Sequence, residues 1–174
     1  MTAANVAPAV AVAVGVVACA TDLAWRRIPN VLTFGAALAA FAWHGSSGGL
    51  SALGWSIGGW VAGLALLMPL YLLRSLGAGD VKLLAAFGAW LGPVDVIWAG
   101  LYGTIAGGVL ALLVAAARGY LGTAYRNVFA LLMFWRTSGV RPMDQLTLDT
   151  SRGPRLARAV PMLVGLVVTL WLKG

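Results

Sequence analysis

A chain of 174 residues that is 61% hydrophobic and only 10% charged leaves too little polar surface to cover a soluble globule. With a mean hydropathy of +0.91, it is expected to be an all-α, polytopic membrane protein built as one domain over residues 1–174. The net charge of +7 would suit nucleic acid, but Lys and Arg retained on the cytoplasmic side explain it, so no nucleic-acid partner is expected. A single cysteine, Cys19, and a single histidine, His44, exclude an internal disulfide and a Cys/His metal cage. No metal and no cofactor are expected.

The first apolar run is Ala3–Ala20. Its Val17-Ala18-Cys19-Ala20 end resembles a signal-cleavage site. Met1–Pro8 carries no Lys or Arg, however, so the run is read as a retained span. Asp22 follows, then Arg26-Arg27-Ile28-Pro29-Asn30, where Pro29 stops a continuous helix and Asn30 is expected to cap the next one. The second run, Ile28–Trp43, is short, and His44, Gly45, Ser46 and Ser47 form its outer loop. The third run is Leu50–Leu73, ending in the turn Gly77-Ala78-Gly79-Asp80. Val81–Leu91 is again short, and Asp95, after Gly92-Pro93, is expected to cap the fifth run, Val94–Ala117.

Beyond it, Asn127–Trp135 is apolar, too short to cross, and flanked by Arg126 and Arg136, so it reads as a helix lying in the membrane interface. Gly139, Pro142, Gly153 and Pro154 mark turns, and Asp144 and Asp149 are read as solvated. Leu156–Leu172 is the last run. Trp25, Trp43, Trp90 and Trp171 fall near helix ends and read as interfacial anchors.

Charge decides whether the short runs cross. With six spans, all cations from Arg26 to Arg158 lie on one side and only Lys173 on the other. The positive-inside rule makes the crowded side cytoplasmic, with both termini outside. If Val81–Leu91 were re-entrant, the Arg-rich loop from Arg118 to Arg158 would move outward. About six transmembrane helices are therefore expected, touching anionic lipid at the cytoplasmic face.

Glu is absent, and two of the five aspartates, Asp22 and Asp80, end long apolar runs on that same face. A carboxylate at a bilayer edge is costly and is a functional candidate by default. Asp22 has a plainer reading as a surface ion pair with Arg26, and Asp80 as an N-cap after a glycine turn. Together they suggest a dyad able to activate water. Two carboxylates about 5 Å apart at an effective dielectric near 20 repel by roughly 3 kcal/mol, so the pair is expected to share one proton. Lys82 either tunes that pair, contacts substrate, or is an ordinary cytoplasmic lysine.

Asp22 with Arg26-Arg27-Ile28-Pro29-Asn30, and Gly77-Ala78-Gly79-Asp80-Val81-Lys82-Leu83, resemble the type IV prepilin peptidase family. That family belongs to the Gly-x-Gly-Asp intramembrane aspartic proteases, with preflagellin peptidases and presenilins. The resemblance implies a catalytic Asp22–Asp80 pair supported by Ile28, Pro29, Asn30, Gly77 and Gly79. It also implies prepilin or pseudopilin precursors as substrates, cut after a basic leader, usually at a glycine. Partners would include a pilus or secretion machinery in the bacterial cytoplasmic membrane, with the active site at the cytoplasmic face. Arg158-Ala159-Val160-Pro161-Met162-Leu163-Val164-Gly165 is similar to the family's last-helix motif only at its first proline, which makes Arg158 and Pro161 candidate contacts. With Cys19 alone and the first motif at residue 22, the chain is expected to be the short form without an N-methyltransferase domain, similar to the enzymes of Flp or tight-adherence pili.

Two other readings stay open. A transporter or assembly subunit would use the same acids as a proton relay, although midplane acids and repeated halves are not visible here. A presenilin-like protease would cut other transmembrane helices.

Overall fold

The computed structural model describes residues 3–119, 121–138 and 158–173. The readings made for Asp144, Asp149, Gly139, Pro142, Gly153 and Pro154 lie outside these residues. Among them there is no strand, and six helices follow in order: α1 (Ala3–Trp25), α2 (Asn30–Leu72), α3 (Ala78–Leu91), α4 (Pro93–Ala117), α5 (Leu121–Ser138) and α6 (Ala159–Lys173). By length and composition, Val6–Trp25, Asn30–Leu72 and Pro93–Ala117 are long and apolar enough to cross a membrane.

The second and third predicted runs are the two arms of α2, broken at Gly49 (φ 66°, ψ −156°). That region of backbone space is essentially restricted to glycine. The contacts with α3 show that the chain reverses there. On the first arm, Asn30 Oδ1 meets Lys82 at the start of α3, and His44 Nε2 lies 3.3 Å from the Trp90 carbonyl oxygen at its end. On the second arm the order inverts, with Ser56 Oγ donating to the Ala89 carbonyl at 2.6 Å and Gly63 lying against Leu84 and Ala85. The His44–Ser47 loop expected from sequence is therefore helical. Ser46 and Ser47 donate to the Trp43 carbonyl, which satisfies their hydroxyls within the helix, and the turn falls later, at Gly49.

Close approach of backbones makes this packing. Gly59 on α2 and Gly88 on α3 face each other so tightly that a Cβ on either would collide with the other's carbonyl. Small residues at a membrane helix contact gain dispersion that lipid tails cannot match. α3 is buried nearly all round, with Leu83, Leu84 and Phe87 at its centre. That explains how 14 residues, roughly 21 Å of helix, sit inside the bundle without meeting lipid along their length.

α1, α4 and α6 continue the alternation of direction. Gly15 of α1 abuts Phe87 and Leu163. Gly103 of α4 sits against Pro161 and Met162, while at the other end Lys173 pairs with Asp95. Hydroxyls inside the helices are satisfied locally, Thr104 on the Gly100 carbonyl and Thr169 on that of Gly165, as apolar surroundings require. Leu38, Leu50, Ile105, Leu112 and Leu113 are exposed, an apolar exterior suited to lipid.

Two expectations change. Trp25 and Trp171 are exposed, but Trp90 is only 5% exposed and belongs to the core beneath His44, because the central helix has little exposed face on which to present an anchor. The segment expected at the interface forms a helix longer than its apolar stretch: α5 covers Leu121–Ser138. Tyr125, Val128 and Phe129 on it are exposed.

Candidate active site

α1 closes on Arg26, whose φ of 55° is left-handed and whose N–H donates to the Asp22 carbonyl at 2.9 Å. A single left-handed residue is a common way to end a helix and turn the chain. The chain then passes Arg27 and Ile28 to Pro29, whose carbonyl accepts from the N–H groups of Leu32 and Thr33. Pro29, at φ −63° and ψ 135°, is therefore the N-cap of α2, and no side chain caps this end. The capping role expected for Asn30 is not seen, since Asn30 is already helical. Its Oδ1 instead accepts from Lys82 Nζ at 3.0 Å.

The second motif folds on itself. Gly77 is the N-cap of α3, and its N–H donates to Asp80 Oδ2 at 3.2 Å. Asp80 thus occupies the third helical position, where the helix dipole favours its charge, and is not the cap itself. The two motifs meet at Gly79, where a Cβ would stand in ordinary van der Waals contact with Ile28, 3.4 Å from its Cβ. Ile28, Pro29, Asn30, Gly77 and Gly79 thus form one joint, with Lys82 bound to Asn30 and lying 5.3 Å from the centre of the Phe34 ring. The contacts seen for Lys82 are with these two residues.

Asp22 and Asp80 are both buried, 9% and 5% exposed, and within electrostatic reach of each other. The start of α6 joins them. The Ala159 N–H donates to Asp22 Oδ2 at 3.1 Å. Arg158 Nη1 lies 3.7 Å from Asp80 Oδ2 and donates to the Ser75 carbonyl at 3.0 Å. Pro161 is turned to α4, with its ring beside Gly107. Of the residues singled out from sequence, the structure gathers Asp22, Asp80, Arg158 and the joint residues at one end, while His44 and Asp95 are at the other.

Sequence reasoning missed the Ala159 N–H, the Ser75 carbonyl and Phe34. The first two are backbone groups without a residue-type signal. Phe34 had one, since it lies one helical turn beyond Asn30. Among the described residues no cluster of three or more His, Cys, Asp or Glu side chains is suited to a metal. Chemically, two buried carboxylates opposed by one guanidinium can bind a water, take its proton and return one to a carbonyl oxygen.

No curated protein and no solved structure matches the chain. The model of the type IV leader peptidase family matches residues 9–112, which include both aspartates and the Ile28–Asn30 and Gly77–Lys82 motifs. That match covers more than half of the sequence, and the chain belongs to the type IV leader peptidase family.

Proposed function

We propose that this chain is an aspartic leader peptidase that cleaves the basic leader from pilin or pseudopilin precursors. The observation that carries the reading is that Asp22 and Asp80, from separate motifs, are both buried at one end of the bundle and are reached by two adjacent residues, Ala159 and Arg158. The family implies pilin precursors as substrates. In the mechanism, the two carboxylates share one proton and act as one titrating unit: the ionised member takes a proton from water while the protonated member donates to the scissile carbonyl. The whole chain serves as a single membrane-embedded peptidase domain.

A purified preparation in detergent should cut a peptide with a basic leader, a glycine and an apolar helix, in the presence of a strong chelator. Loss of activity to chelator, with recovery on adding zinc or magnesium, would require chemistry other than a carboxylate pair.

We place the end that holds Asp22 and Asp80 at the cytoplasmic face of the bacterial inner membrane, in a six-span topology with the N-terminus outside. α1, the two arms of α2, α3, α4 and α6 alternate in direction and support it, as do the cations at the Asp22 end. α5 is assigned to the interface, its exposed Tyr125, Val128 and Phe129 toward lipid. In a Cys19→Ala background, cysteine probes at His44 should label from outside and at Ser138 from the cytoplasm. Outward labelling at 138 would overturn the topology.

A further inference from the structure

We infer that the start of α6 is a third component of the site, with Arg158 a positioning residue that clamps Asp80 while the adjoining Ala159 N–H holds Asp22. The region matched by the family ends at residue 112, well before these residues, so nothing in that match assigns them a role. The inference rests on the leader-peptidase reading for its catalytic meaning.

Three contacts carry it. Arg158 Nη1 is tied down on the protein side by the Ser75 carbonyl at 3.0 Å, so its guanidinium is not swinging freely in solvent. From that anchor it faces Asp80 Oδ2 at 3.7 Å, against a carboxylate whose side chain is only 7% exposed. One residue on, the Ala159 N–H, an orphan donor of the first helical turn, donates to Asp22 Oδ2 in a buried setting. Two adjacent residues therefore fix one oxygen of each carboxylate, and any shift of α6 moves both. The other groups acting on Asp80 are the Gly77 N–H from the preceding turn and Asp22 from α1. Lys82, on the same helix as Asp80, bonds to Asn30.

Arg158 is the cation on which the pair depends. An opposite charge within about 4–6 Å favours the ionised carboxylate, which lets one member of the pair stay charged at neutral pH beside the other. Ser75, Arg158 and Asp80 also link the turn before α3 to the start of α6.

The test uses full-length protein in lipid nanodiscs, comparing wild type, Arg158→Gln and Arg158→Lys, each checked for fold by circular dichroism and chromatography. The protonated carboxyl band of Asp80, assigned by its loss in Asp80→Asn, is titrated by infrared spectroscopy. In parallel, the pH profile of cleavage is measured with a prepilin-like peptide. Arg158→Gln should move the Asp80 titration, and the bell-shaped cleavage profile with it, to higher pH by about one unit. kcat should fall at neutral pH while KM stays close to wild type. Arg158→Lys, which restores a cation, should return both curves toward wild type. A folded Arg158→Gln protein with both curves unmoved would overturn the inference, as would Arg158→Lys behaving like Arg158→Gln. If wild type does not cleave the peptide, the leader-peptidase reading fails, and the infrared titration still decides whether Arg158 clamps Asp80.

Discussion

Asp22→Asn and Asp80→Asn should each lower kcat/KM for leader cleavage at least about a thousandfold, with the protein still folded and inserted. An amide keeps the shape of the carboxylate but cannot take up or release a proton. Each variant also retains an acceptor oxygen for the donor that now binds its carboxylate, the Ala159 N–H for Asp22 and the Gly77 N–H for Asp80. The loss should therefore be chemical more than structural. Because the two groups form a unit, the double variant should be scarcely slower than either single one. Progress curves with purified variants and a fluorogenic precursor peptide measure this. Additive losses would mean that the aspartates act independently. Asp95→Asn, whose partner is Lys173 at the far end, should cleave at nearly the wild-type rate.

The largest structural effect is expected at the contact between α2 and α3. Gly88→Val would drive a branched side chain into the Gly59 carbonyl, backbone that cannot rotate away. The helices would have to separate, stretching the buried Ser56–Ala89 hydrogen bond next to the collision. Overpacking of this kind typically costs about 1–3 kcal/mol and sometimes more. The upper end is expected here, because α3 is the central helix and carries Asp80. Unfolding in mixed detergent micelles should show a lower midpoint for Gly88→Val than for wild type. Gly35→Val, where a Cβ meets nothing within 4 Å, should unfold near wild type. A Gly88→Val protein as stable as wild type would mean that the two backbones do not pack as described.

These expectations differ in how visible their causes were in the sequence. The helical class was plain, since long apolar runs broken by Gly and Pro leave no other way to satisfy the backbone in lipid. That Asp22 and Asp80 lie at the same end was also open to inference, because acids are rare in this chain and both end apolar runs. What could not be read depends on contacts between distant residues. Trp90 looks like an anchor by position, and only the burial of α3 puts it in the core. Asn30 has the residue type of a cap, but Lys82, from the other motif, takes its side chain once Pro29 begins the helix. The reversal at Gly49 was shifted by several residues, because Ser46 and Ser47 look like loop and instead bond back into their own helix. The Arg158–Ala159 clamp was the least legible part, since half of it is a backbone N–H.

The central claim is that Asp22 and Asp80 activate water directly against the leader peptide bond. It is tested most directly by mass spectrometry of the products formed in ¹⁸O-enriched water, with hydroxylamine present as a trap. Wild type should place ¹⁸O in the new carboxyl of the leader fragment and form no hydroxamate, and Asp80→Asn should give no product. A hydroxamate from wild type, revealing a covalent acyl intermediate, or the same labelled product from Asp80→Asn, would contradict the account.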